Sequence, residues 1–106
     1  MTDPVTVGEI VKQYEKHGWT LRRALLSDES RVVLSDTLAG IDIALSDLEA
    51  LWFSRRSKPE SESWELRRLT GSPFALVAVI PSNASEDELE STLAQIADDM
   101  RERTFA

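Results

Sequence analysis

The spacing of hydrophobic positions changes several times along the chain, and each change marks an element. Val7, Ile10, Val11 and Tyr14 recur at helical spacing. Thr6 and Glu9 form a capping-box pattern at the front of this stripe, Val5 and Ile10 fit a hydrophobic staple, and Gly18 supplies a stop. This predicts a helix from about Val7 to His17. From Trp19 to Ser27 the period drops to two, with Trp19, Leu21, Arg23 and Leu25 set against Thr20, Arg22, Ala24 and Leu26. That stretch reads as a strand, Asp28-Glu29 as a turn, and Arg31 to Ser35 as a partner strand.

Between Asp36 and Glu49 two periods compete. Leu38, Ile41, Leu45 and Leu48 would line a helix, whereas Gly40 and the alternation Ile41, Ile43, Leu45 favour a short strand near Gly40–Leu45. Ser46 and Glu49 repeat the capping-box spacing, which suggests one helical turn after that strand. Three strands rich in aromatic and branched residues follow at Ala50–Arg56, Ser63–Leu69 and Phe74–Ile80. The polar loop Ser57-Lys-Pro-Glu-Ser-Glu joins the first two as a hairpin, and Thr70-Gly-Ser-Pro turns the chain between the last two. Phe74–Ile80 is apolar throughout, which predicts a position in the sheet's interior with both faces covered. Ser85 and Glu88 then cap a helix whose buried stripe is Leu89, Leu93, Ile96 and Met100. Its early acids and late arginines, Arg101 and Arg103, suit the helix dipole.

These elements predict an α+β fold in a single domain, residues 1–106. The expected architecture is an antiparallel sheet of about four to six strands with the N- and C-terminal helices packed on one face. Composition agrees, since 42% hydrophobic and 29% charged residues in a 106-residue chain are ordinary for one globular core.

Charge and residue inventory narrow the function. The absence of cysteine excludes disulfides and thiolate chemistry. His17, the one histidine, cannot complete the usual zinc or iron ligand sets, so neither a metal nor a cofactor is expected. The opening Met1-Thr-Asp-Pro-Val lacks a basic start and an apolar leader, and Phe74–Ile80 is too short to span a bilayer. A cytoplasmic, soluble protein is the expectation. The net charge is −7, and the segment from Ser82 onward contributes −5 of it. Such a surface argues against nucleic acid and anionic membranes as partners.

The arginines are the most patterned polar residues. Six of the nine lie in adjacent pairs, Arg22-Arg23, Arg55-Arg56 and Arg67-Arg68, each within a predicted strand. Strand alternation sends one member of each pair to each face. Arg22, Arg56 and Arg67 would then form a row able to hold a phosphate, a carboxylate or an acidic segment. The alternative for these arginines is pairing in-house with Glu49, Glu62, Glu65 or the acidic C-terminal helix. In Leu51-Trp-Phe-Ser-Arg-Arg, Phe53 is expected inward and Trp52 outward beside Arg56, as an aromatic contact residue. Trp19 and Trp64 read as core. Catalytic signals are thin: His17 has no nucleophile or orienting partner, and Gly8, Gly18, Gly40 and Gly71 form no phosphate-binding loop.

In element order and acidity the chain resembles the small acidic chaperones and adaptors of bacterial secretion systems, which arrange α-β-β-β-α-β-β-α and work as dimers. That resemblance carries no motif and transfers no residue. The reading is a non-enzymatic, homodimeric protein-interaction module of adaptor or chaperone type, with Arg22, Trp52, Arg56 and Arg67 as binding residues. Its alternative is an anion-binding domain that uses the arginine row to hold a small molecule.

Overall fold

Asp3 caps the first helix, α1 (Pro4–Lys16), by accepting the Thr6 N–H at 3.1 Å and the Thr6 hydroxyl at 3.0 Å. Pro4 takes the first helical position, where its missing N–H costs nothing. The helix therefore starts three residues ahead of the Val7 start read from the capping box, and Thr6 lies within its first turn. Gly18 ends the turn after α1 at φ +87°, a conformation that favours glycine. The computed structural model describes residues 3–105; Met1 and Thr2, part of the stretch read for a leader, and Ala106 lie outside them.

Strand β1 (Thr20–Leu26) leads into a short helix, α2 (Asp28–Val33), where a second strand was expected. The reason is local. Ser27 accepts the Ser30 N–H at 3.2 Å, Asp28 and Glu29 occupy the positive end, and Arg31 reaches back to Asp28 at 2.7 Å. Strand β2 (Asp42–Leu45) then confirms the strand reading of the ambiguous stretch. The expected helical turn after it is a bend, in which Ser46 accepts the Leu48 N–H at 3.1 Å. The Glu49 carboxylate turns away from that bend and accepts the Ser27 N–H at 3.0 Å.

The remaining strands are β3 (Ala50–Lys58), β4 (Ser61–Arg68) and β5 (Ala75–Pro81), followed by helix α3 (Glu86–Phe105). Ser85 caps α3 as expected, accepting the Glu88 N–H at 3.1 Å. The five strands form one sheet in the order β2-β1-β3-β4-β5, with β1–β2 parallel and every other pair antiparallel. The α+β class and the mostly antiparallel sheet with terminal helices are as expected. The order of elements, α-β-α-β-β-β-β-α, departs from that of the secretion chaperones.

The expectation of both helices on one face is corrected. One core joins Ala50, Trp52, Trp64, Leu66 and Ile80 to Leu93 and Met100 of α3. The other joins Leu51, Phe53, Ala24 and Leu26 to Val7 of α1 and to Leu34 and Leu38. Trp52 and Phe53 are neighbours in β3 and point to opposite faces. An apolar central strand needs a cover on each side, so α1 and α3 sandwich the sheet.

A second correction concerns β5, which is an edge strand and not an interior one. Leu76, Ala78 and Ile80 pack toward α3, which accounts for half of its apolar residues. On the other face α1 reaches only as far as β4, through Tyr14 and Glu65, and leaves Val77 and Val79 in solvent.

The cap on α2 gives a test of the local argument. Ser27→Ala should lower stability by about 1 kcal/mol in denaturant unfolding, the usual loss for an N-cap hydroxyl. An unchanged midpoint would mean that the acids of the first turn hold α2 alone.

Candidate functional site

The arginine and tryptophan residues singled out by sequence do not converge. Strand β1 slips register against β3 between Leu21 and Arg23, and this bulge replaces alternation at the Arg22-Arg23 pair. Both guanidiniums consequently lie on the α3 side. Arg22 donates to the Ser54 hydroxyl at 3.0 Å and covers the Trp64 ring at 4.8 Å. Arg23 donates to Glu90 of α3 at 2.9 Å.

Arg56 shares the α3 side with Arg22 and borders an open pocket of about 230 Å³, with Glu62, Trp64, Ile80, Pro81 and Leu89. Glu62 accepts the Trp64 indole N–H at 3.1 Å and stands 4.0 Å from Arg22. Arg67 is on the opposite face, and its guanidinium donates to the Arg68 carbonyl at 3.0 Å. The row of three is therefore two arginines with a carboxylate beside them, plus a third arginine across the sheet.

Trp52 is 2% exposed and meets Trp64 edge-on at 6.2 Å under α3. The outward placement expected of it is corrected, because α3 covers the face that the sequence reading left open. Trp64 is core, as expected. Trp19 is half-buried beneath Arg55, which covers its ring at 5.1 Å and donates to the His17 carbonyl at 2.8 Å. Arg68 lies 5.1 Å from the Phe74 ring and donates to the Ser72 carbonyl at 2.8 Å, which holds the turn at Gly71.

The polar groups that are perturbed tie layers together. Tyr14 stacks on Phe53 with ring centroids 4.0 Å apart and donates its hydroxyl to Glu65. Burial, then the bond to Glu65, push the Tyr14 pKa up, so it remains a neutral donor. Arg23 holds the Glu90 carboxyl below its ordinary value by hydrogen bonding, and Arg101 does the same for Asp47. Among the described residues no group of three or more His, Cys, Asp or Glu side chains could hold a metal ion, and no helix is long and apolar enough to cross a membrane.

The open edge of β5 is the surface that sequence reasoning missed. Val77 is 53% and Val79 64% exposed, side by side on the face that α1 does not reach. The Phe74 carbonyl accepts from the Arg68 N–H, and the Ser82 N–H donates to the Glu60 carbonyl. With the unbroken register of β4 and β5, even-numbered residues of β5 turn their backbone toward β4. Ala75, Val77 and Val79 therefore present their N–H and C=O groups to the open side. The signal was in the sequence: Pro73 and Pro81 bracket the strand, and proline at strand ends marks an edge. The other edge, β2, is four residues long and carries Asp42, the ordinary way of blunting an edge.

No protein-family model, curated protein or solved structure matches this chain.

Two outcomes follow from these placements. Trp52→Ala should cost about 3–5 kcal/mol in chemical unfolding, the loss expected for emptying a buried aromatic site. A near-neutral result would contradict its burial under α3. Glu90→Gln should lower stability at neutral pH by under about 1 kcal/mol, because the pair with Arg23 is exposed to solvent screening. A lowered folded pKa stabilises above the carboxylate's ordinary 4.5 and loses that contribution as pH falls through the lowered value. The gap between wild type and Glu90→Gln should accordingly close on acidification, and a gap that stays constant into strong acid would refute the pairing.

Proposed function

We propose that this chain is a non-enzymatic protein-interaction module that works in the cytoplasm and takes a polypeptide strand along the open edge of β5. The observation that carries the reading is that edge: seven residues, Ala75–Pro81, without a charge, a bulge or, among the described residues, a covering element on the α1 side. Soluble proteins commonly blunt such edges with lysine, proline, inward charges or bulges, and here proline stands at the ends alone, Pro73 before the strand and Pro81 as its last residue. The stretch between them, apolar and free of charge, offers main-chain hydrogen bonds for affinity and alternate side chains for specificity, the two parts of strand addition. Val77 and Val79 supply the side-chain contacts.

The anion-binding alternative needed three guanidiniums on one face. Arg22 and Arg56 share theirs with Glu62, which competes for any incoming phosphate or carboxylate, and Arg67 is across the sheet. The thin inventory of catalytic groups also favours binding over chemistry. In this reading the β5 edge, with Val77 and Val79, is the binding surface in place of Trp52 and the arginines.

Native mass spectrometry of tagged full-length protein tests the reading against Val77→Lys/Val79→Lys. Wild type should carry a second polypeptide, its own or foreign, and the double variant should lose it. The exposed substitutions themselves usually stay within about 0.5 kcal/mol, so the variant should stay folded, with melting lowered only by the loss of the bound polypeptide. Equal association in both proteins, or none in wild type, would end the proposal.

A further inference from the structure

We infer that the strand received by β5 is β5 of a second copy, paired antiparallel about a two-fold axis at Val77; the inference rests on the reading of β5 as the interaction edge. Three features of the edge carry it. First, the outward backbone groups belong to Ala75, Val77 and Val79, and they are symmetric about Val77. Placing Val77 opposite its own copy puts Ala75 opposite Val79 at both ends. Every outward N–H and C=O of the three residues then finds a partner, in about six backbone hydrogen bonds.

Second, the prolines suit that register. Pro73 and Pro81 stand four residues either side of Val77, at positions of the same outward parity, and neither has an N–H to offer. With the axis at Val77 they fall opposite each other at the two ends, and no carbonyl inside the ladder is left without a donor. Moving the axis to Ala78 keeps about six bonds but pairs Ala75 with Pro81, which leaves the Ala75 carbonyl at each end of the ladder without a donor.

Third, the edge strand itself carries no charge, and the nearest charged residues, Glu65, Lys58 and Glu60, belong to β4 and its hairpin one strand back. Thr70 to Ser85 is a run of sixteen residues without a charge, in a chain whose net charge is −7. Two copies of so acidic a protein repel one another at long range. An antiparallel self-contact there opposes no like charges directly, and like charges opposite each other destabilise a sheet. On the face that α1 leaves open, Val77 meets Val77, Val79 meets Ala75, and the two exposed patches merge into one apolar stripe. The product is a continuous ten-stranded sheet with the two α3 helices on one side, closed by an isologous contact.

Two sets of variants test both the interface and its register. Val77→Pro removes an N–H that points away from β4, so the monomer should stay folded and melt below wild type only by the dimer's contribution, while sedimentation changes from twice the monomer mass to the monomer mass. The chain has no cysteine, so single cysteines report distance. Val77→Cys places its Cα about 5.5 Å from its counterpart, within disulfide reach, whereas Val79→Cys places the pair roughly 14 Å apart. Under mild oxidation Val77→Cys should cross-link at least roughly tenfold faster than Val79→Cys.

A dimer that survives Val77→Pro, or equal cross-linking at 77 and 79, overturns the inference. If wild type instead holds a foreign polypeptide that Val77→Pro releases, self-pairing is wrong and the interaction edge stands. A wild-type chain that stays monomeric and holds nothing removes both.

Discussion

Ala50, Leu51, Trp52, Phe53 and Ser54 are all buried, and this run in β3 sets the terms for the rest of the molecule. Successive residues of a strand point to opposite faces, so five buried in a row oblige the protein to cover both sides. Trp52 calls for α3, which brings Leu93 and Met100 to it. Phe53 calls for α1, and Tyr14 stacks on its ring. Neighbouring strands are required on each edge as well, because the backbone groups of a strand this dry must be paired. β1 and β4 supply that pairing. A sandwich of helices around a central strand is therefore the consequence of one apolar run.

The same constraint explains what the arginine pairs are. Arg55 and Arg56 follow the buried run directly, and Arg67 and Arg68 close β4 at its far end. At these positions a guanidinium can lay its stem along the apolar layer and still reach solvent or a carbonyl. Arg55 covers Trp19, Arg22 covers Trp64 and Arg68 lies near Phe74, so each seals an aromatic at the margin of a core. Doubled arginines here mark where burial ends on each face, and Arg22, Arg23, Arg55, Arg67 and Arg68 find partners within the fold.

Much of the fold was legible because its signals are local. The Ser85 cap, the hairpin loop between β3 and β4, and the period of α3 each depend on residues a few positions apart. What was not legible depended on contacts across the chain. The bulge at Leu21–Arg23 arises from the register with β3 and no residue announces it. The orientation of Trp52 turned on whether a helix covered its face, and alternation alone cannot distinguish one covered face from two. The helix α2 is a different case: Ser27, Asp28 and Glu29 are an ordinary helix start, and they override the strand preference of the branched residues Val32 and Val33, where a turn and a strand were expected. For β5, apolar composition predicts burial on both faces, while Pro73 before the strand and Pro81 at its end mark an edge.

That last point bears on why the edge exists. Covering β5 fully would need α1 to extend beyond β4 or a further strand beside β5, and no other described element supplies either. A monomer that merely tolerated this gap would have little reason to keep its exposed side valine-rich, since a lysine at 77 or 79 would blunt the edge without touching the α3 core. The charges of the chain lie on either side of the gap: the acids of α3 begin right after the uncharged run, and Arg67 and Arg68 stop just before it. Long-range repulsion then disfavours association through the acidic surfaces, while along the neutral run no like charges would stand directly opposite one another. Burial of Val77 and Val79 there would give the second face of β5 the cover that α3 gives the first, so the sheet's central rule, apolar on both faces and therefore covered on both, would extend to its last strand.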